Sequence, residues 1–348
     1  MFAAKFATKK KGESINSWTR IGQETELANL RKNLEQWLTL PAIFVVVFDG
    51  PRRPKTKRGK QVRTSRPHQL EPAFREMVEA MGFHCEMAPG EAEAHLAMLN
   101  QSGAVDYILT SDNDAFVFGA RNVIRLPRDN NNRDRVEVYT DAALLAHPFG
   151  PLTREGLVLI AMLSKGDYAN GIEGCGIKFA WRLASTTTLA TKLCDIILKR
   201  NYSGVDVPAE LYRWRTVLRS EIARGTGRGR KPALAAKIPD SFPSADIVGQ
   251  YVSPAVGSSE APIPNWVVRY PDSARAAHLA AATFQLGWTG TINFLREFVW
   301  VGYMLRHFLM VCCSISINSS TVLMVYYLIH RDTGAGQRQA DHVPTASV

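Results

Sequence analysis

Residues 42–51 read AIFVVVFDGP, and this stretch decides the fold. An unbroken apolar run rich in β-branched residues, closed by Asp-Gly-Pro, predicts a strand buried on both faces and ending at a turn. Upstream, ETELANLRKNLEQWLTL (24–40) places Leu27, Leu30, Leu34, Trp37 and Leu38 at helical spacing, and Pro41 ends that helix. Downstream, residues 69–81 predict a helix, GFHCEMAP (82–89) a short extended stretch, and GEAEAHLAMLNQSG (90–103) a helix opening after Pro89. VDYILTSDND (105–114) repeats the first signal, a second buried strand with two aspartates at its end. Helices alternating with buried strands, without hairpin signals between them, predict an α/β domain with a mostly parallel sheet flanked by helices. In such folds the working groups gather at the carboxyl ends of the strands.

Further on, residues 121–138 predict a β-ribbon turning at RDNNNRDR, and 153–165 and 207–223 predict helices. GDYANGIEGCGIKFAWRLAST (166–186) predicts a loop leading into a helix. ARGTGRGRKP (223–232) has the composition of a flexible basic insertion. The 348 residues carry a formal net charge of +10, compatible with a polyanionic partner without proving one. Cys85, Cys175, Cys194, Cys312 and Cys313 form no CxxC pair and no zinc-spaced cluster, so free thiols in a reducing compartment are expected. The opening MFAAKFATKKK lacks the apolar run of a secretory signal.

Six carboxylates fall where strands end and helices begin: Asp49, Glu91, Glu93, Asp112, Asp114 and Asp167. Each has an ordinary use. Asp49-Gly50 is a turn pair, Glu91 and Glu93 suit a helix N-terminus, Asp112 and Asp114 suit a cap, and Asp167 suits a loop. Converging together, they would repel one another and raise one another's pKa unless cations were present. Mg²⁺ prefers such hard oxygen donors, and two ions about 4 Å apart can stabilise both the attacking and the leaving oxygen of a phosphodiester. No GxSxG or Cys/His arrangement offers a protein nucleophile. His84, His95 and His147 share no ligand spacing and are read as packing or surface residues.

VFDGP, PGEAEA, TSDNDAFVFG and LSKGDYANGIEGCGIKFA, in this order, resemble the flap-endonuclease/XPG superfamily of structure-specific 5′ nucleases from about residue 25 to 200. GIEGCG and IPDSFPSADIVGQYVSPAV look most like its fungal Holliday-junction-resolvase branch. The resemblance implies a PIN-like nuclease core in 1–150, a helix–two-turn–helix DNA-binding element and following helices in 151–223, and a family extension in 224–300. It implies an endonuclease of DNA repair and recombination, cutting 5′ flaps or four-way junctions in the nucleus by a two-metal-ion mechanism. Asp49, Glu91, Glu93, Asp112, Asp114 and Asp167 would be the metal ligands, for Mg²⁺ with Mn²⁺ as a substitute. Lys57 and Arg63 would place the scissile phosphate. K⁺ would sit at the helix–two-turn–helix loop, and a homodimer could form on a junction. No small-molecule cofactor is implied.

RRPKTKRGKQVRTSR (52–66) carries eight basic residues in fifteen. Beside Asp49, it reads as an arch gripping phosphates through Arg52, Arg53, Lys55, Lys57, Arg58, Lys60 and Arg63, or else as a basic loop or import signal. Gly174 and Gly176 would let backbone N–H groups approach a phosphate at a helix N-terminus, with Lys178 as the side-chain contact. GTGRGRKP reads as a solvated basic loop rather than an AT-hook.

Two features depart from the resemblance. The glycine-containing start of family members, and a strand bearing another metal-site aspartate, have no counterpart before Asp49, which leaves a strand missing from the expected sheet. HFLMVCCSISINSSTVLMVYYLI (307–329), within an atypical apolar tail at 301–348, reads first as an unrelated appendage, second as a core element, and last as a membrane span. A catalytically impaired junction-binding protein, or a gene-model fragment, therefore stands as the alternative to an active nuclease.

Overall fold

The computed structural model describes residues 23–57, 60–61, 70–126, 136–201, 204–225, 229–257, 266–315 and 322–326. Arg58 and Arg63 of the basic segment lie outside the described residues. The chain opens with α1 (Gln23–Leu38), β1 (Ile43–Phe48), the two-residue strands β2 (Thr56–Lys57) and β3 (Lys60–Gln61), α2 (Glu71–Ala80), β4 (His84–Met87), α3 (Ala92–Gln101) and β5 (Tyr107–Leu109). Next come the single turn α4 (Asp114–Val117), the ribbon β6 (Asn122–Arg125) and β7 (Glu137–Thr140), and α5 (Asp141–Leu145). A helical layer follows: α6 (Arg154–Ser164), α7 (Ile177–Thr186), α8 (Leu189–Leu198), α9 (Val207–Arg224), α10 (Pro232–Ala236) and α11 (Ala245–Val252). After α12 (Ser273–Ala282) and α13 (Gly287–Phe294), a π-helical turn at Leu295–Val299 leads into α14 (Trp300–Ile315), and β8 (Val322–Tyr326) closes the described chain.

The sheet runs β4-β1-β8-β5-β6-β7, parallel except for the β6/β7 ribbon. Every residue of β1 is buried, and its two-residue period divides the core. Val45 and Val47 join the larger cluster with α3, α6, α7, α8 and α9, while Phe44, Val46 and Phe48 join a second cluster with α1, α2 and α12. A strand covered on both faces has no polar side, which is why its sequence is continuously apolar. Trp37 stacks on Phe44 at 5.8 Å between ring centroids, fixing α1 to the sheet.

The apolar stretch 307–329 follows the second of its three readings. Its first part completes α14, where the 2%-exposed Arg306 donates at 3.1 Å to the carbonyls of Leu38 and Gly302, and its cation lies 5.0 Å from the Phe83 ring centroid. Its later part forms β8, in the middle of the sheet, pairing Val45 with Met324 and Ile108 with the same residue from the other side. The expected appendage is thus corrected to a core element. The reason is physical: β1 and β5 each present an open ladder edge, and an apolar β-rich segment satisfies both. No helix among the described residues is long and apolar enough to cross a membrane.

Candidate metal centre and nucleic-acid face

The carboxyl ends of β1 and β5 and the N-terminus of α3 meet at one place. Asp49 follows β1. Its Oδ1 accepts the Ala92 N–H at 3.0 Å, opening α3, and its Oδ2 accepts from Arg53 Nη1 at 3.1 Å. Gly50 is required here, because a Cβ would lie 1.8 Å from the Ala88 carbonyl oxygen. Glu91 is the N-cap residue of α3, and Glu93 lies in its first turn. Glu93 is 1% exposed, and neither of its carboxylate oxygens has a hydrogen-bond partner. Asp112 accepts the Asp114 N–H at 3.0 Å, and its own N–H donates to Thr110 Oγ1 at 3.1 Å. Asp167 is buried in the turn after α6.

Lys57 turns inward from β2. Its ammonium lies 2.8 Å from Asp167 Oδ2 and 3.1 Å from Glu91 Oε1. Burial alone would lower its pKa, but Glu93, Glu91 and Asp167 more than offset this and hold the ammonium well above its ordinary range. Burial raises Glu91, opposed by Lys57 and assisted by Asp49. Burial pushes Glu93 well up, with Asp112, Asp49 and Glu91 adding to the rise against Lys57. Asp114 is also pushed well up, first by burial and then by Asp112 and Asp167.

The structure therefore brings the six predicted carboxylates to one end of the sheet. Part of the capping reading holds as well, since Asp112 accepts a backbone N–H where α4 begins, while Asp49 does the same for α3, a use the turn reading did not include. Among the described residues no group of three or more His, Cys, Asp or Glu stands ready to ligate an ion. The cations the cluster holds are the Lys57 ammonium, on Glu91 and Asp167, and the Arg53 guanidinium, on Asp49. Even so, the residues fit a divalent metal: the donors are all hard oxygens, and the buried Glu93 carboxylate has both oxygens unpartnered.

Of the predicted DNA contacts, Arg52 and Lys55 are exposed, Arg53 and Lys57 are turned toward carboxylates, and Lys60 lies in β3. The glycine loop stands in the helical layer. Gly171 and Gly174 have φ of +71° and +87°, and Gly176 caps α7 with no side-chain hydrogen bond. Lys178 is exposed in the first turn of α7. His84 and His95 are buried and bonded, to the Val267 carbonyl and to Glu86, both at 2.8 Å, and His147 stacks on Phe149 and packs at a tilt against Trp181. Sequence reasoning missed Arg154 and Tyr251. Arg154 ties α6 to the Tyr251 carbonyl at 3.0 Å. Tyr251 lies in IPDSFPSADIVGQYVSPAV, which carries no local sign of a role at the site.

The molecule is thus an α/β core with a mostly parallel sheet and a buried acidic cluster at the carboxyl ends of its strands. Residues 82–167 match the family XPG I-region. The chain is 41% identical over 109 residues to flap endonuclease GEN homolog 1 of Mus musculus, covering 31% of this chain and 12% of that protein. It is 36% identical over 118 residues to flap endonuclease 1 of Methanococcoides burtonii, covering 31% and 34%. The chain thus spans a small part of the curated relatives it matches. Among solved structures it resembles the Holliday junction-resolving enzyme GEN1 in complex with product DNA and Mg²⁺, at TM-score 0.63 and 26% identity over 85% of this chain and 69% of that one. The catalytic core of Rad2 with DNA substrate, at TM-score 0.56 and 22% identity over 80% and 85%, shares the fold. Over these parts the chain is similar to members of the flap-endonuclease/XPG superfamily.

Proposed function

We propose that this chain is a structure-specific endonuclease that hydrolyses phosphodiester bonds in branched DNA, a 5′ flap or a four-way junction. The observation that carries the reading is the buried acidic cluster around the unpartnered Glu93 carboxylate. Glu91, Glu93, Asp112, Asp114 and Asp167 would hold divalent ions directly or through water, with Asp49 adding its charge while fixing the start of α3. When bound, Mg²⁺ or Mn²⁺ supplies Lewis-acid stabilisation of charge developing on the phosphate oxygens. Lys57 would leave its carboxylates for the scissile phosphate, and Arg52, Arg53 and Lys55 would hold the strand behind it. Gly174, Gly176 and Lys178 would grip the duplex arm, with K⁺ at the loop.

The same reading includes the junction-resolving branch of the superfamily, a homodimer on the junction, a nuclear location, and division of the chain near residues 150, 223 and 300. The complexes of GEN1 and Rad2 with DNA support the partner class.

A second reading, junction binding without cutting, is favoured by β8. The strand between β1 and β5 pairs Val47 with Tyr326, and the next residues in sequence, Tyr327 and Leu328, are not acidic. Cleavage of 5′-flap and four-way-junction DNA by the full chain, with Mg²⁺ or EDTA, beside an Asp112→Ala/Asp114→Ala variant, separates the two. Mg²⁺-dependent cutting absent from the variant is expected. Salt-sensitive binding by folded protein without cutting would leave the second reading standing.

A further inference from the structure

Tyr251 sits in α11, far along the chain from the acidic cluster, yet its side chain reaches the underside of that cluster. The residue is fully buried. Its ring packs at 4.8 Å from Tyr168 and 6.2 Å from Phe118, between ring centroids. Its hydroxyl oxygen accepts the Tyr168 N–H at 3.2 Å. The same oxygen lies against the Gly166 backbone, where an added Cβ would approach it to 2.4 Å. Tyr251 therefore touches both neighbours of Asp167 along the chain.

The turn that carries Asp167 is held at its tip by the Lys57 ion pair and at its base by the Ile172 N–H on the Leu163 carbonyl at 2.8 Å. Lys165 enters it at φ +84°, a conformation costly for a residue with a Cβ. Within it the Gly166 N–H donates to the Ala169 carbonyl at 3.2 Å. The helix behind Tyr251 is in turn held by Arg154, which donates to the Tyr251 and Val252 carbonyls at 3.0 and 3.3 Å.

We propose that Tyr251 is a positioning residue for the metal centre, its hydroxyl holding the Gly166–Tyr168 backbone so that the Asp167 carboxylate stands beside Glu91. The proposal rests on the nuclease reading above. The hydroxyl lies close enough to Asp114, Asp167 and Glu91 that these charges add to burial in raising its own pKa, so it stays a neutral hydrogen-bonding group throughout the working range.

Three full-length proteins test this: wild type, Tyr251→Phe and Val248→Ala. Tyr251→Phe keeps the ring and removes only the acceptor of the Tyr168 N–H. Val248→Ala opens a packing defect at a fully buried position of the same helix and leaves the hydroxyl in place. Mn²⁺ binding without DNA is followed by the electron-paramagnetic-resonance signal of the free ion, and flap cleavage is resolved into kcat and KM. Loss of an orienting contact behind a metal ligand should weaken Mn²⁺ binding about tenfold in Tyr251→Phe. kcat should fall while KM for DNA holds, and Val248→Ala should melt earlier with Mn²⁺ affinity near that of wild type. Wild-type Mn²⁺ affinity in Tyr251→Phe, or equal weakening in both variants, overturns the positioning role while leaving the nuclease reading intact. Failure of the wild type itself to bind Mn²⁺ or to cut overturns both.

Discussion

At the scale of single residues, Glu93 joins structure to function most directly. Its carboxylate is enclosed, unpartnered and among like charges. A group whose pKa rises on folding gives stability that is present below its ordinary value of 4.5 and lost as pH rises through the folded value. The metal-free fold thus loses that contribution progressively as pH rises above 4.5. Glu93→Gln should raise the metal-free melting temperature at pH 7.5, with the advantage shrinking toward pH 4.5. Mg²⁺ should then stabilise wild type more than the variant. Differential scanning calorimetry decides it, and a variant that melts earlier at pH 7.5 would falsify the reading that burial and like charges outweigh Lys57 at Glu93. The cysteines make a contrasting case. Burial pushes Cys85 and Cys194 up to about 12 and Cys175 to about 11. Their thiolate fraction at pH 8 is negligible, so iodoacetamide should label these three peptides far more slowly in native than in urea-unfolded protein, as read by mass spectrometry.

At the scale of elements, most of the plan was legible because the apolar periods were strong. The helices at 23–38, 92–101 and 154–164 and the strand at 43–48 fall where hydrophobic spacing put them. The carboxylates were legible for a related reason: a parallel sheet exposes the ends of its strands at one edge, so acidic residues just after strands are brought together. What was not legible is contact between distant elements, such as the Lys57 ammonium turned onto Glu91 and Asp167, or Tyr251 under the Asp167 turn. No local pattern encodes these. The glycine loop before α7 lies between the two cases. Its glycines were visible, and the structure adds that Gly174 needs φ +87°. Gly174→Val should cost about 1–2 kcal/mol, the penalty of the left-handed conformation for a residue with a Cβ. Duplex-arm binding, measured by fluorescence anisotropy, should weaken while Mn²⁺ affinity holds. Unaltered DNA affinity in a variant with a lowered melting temperature would remove this loop from the DNA face.

At the scale of the whole molecule, the decisive feature is that the sheet is closed by its last described strand. β8 lies between β1 and β5, so the pair β4-β1 and the group β5-β6-β7 are continuous only through Val322–Tyr326. The two core clusters, one on each face, are likewise built on strands that β8 joins. The sequence hid this because strand order depends on which ladder edges are left open, and a short apolar segment after a serine- and asparagine-rich stretch looks the same as an appendage. A backbone test isolates the point. Met324 pairs with Val45 on one side and Ile108 on the other, so Met324→Pro removes an N–H from the centre of the sheet, at a cost of about 3 kcal/mol or more. Val322→Pro, at the first residue of the strand, should cost much less, because proline is tolerated where a strand begins. Ending the chain after Ile315 should abolish the single cooperative unfolding transition, since β1 and β5 would each lose a parallel neighbour and expose an unpaired ladder edge. Urea unfolding followed by circular dichroism orders the three: wild type and Val322→Pro close together, Met324→Pro well below, and the shortened chain without a sharp transition. A shortened chain that unfolds at the wild-type midpoint would mean that the sheet stands without β8 and that its central position carries no stability.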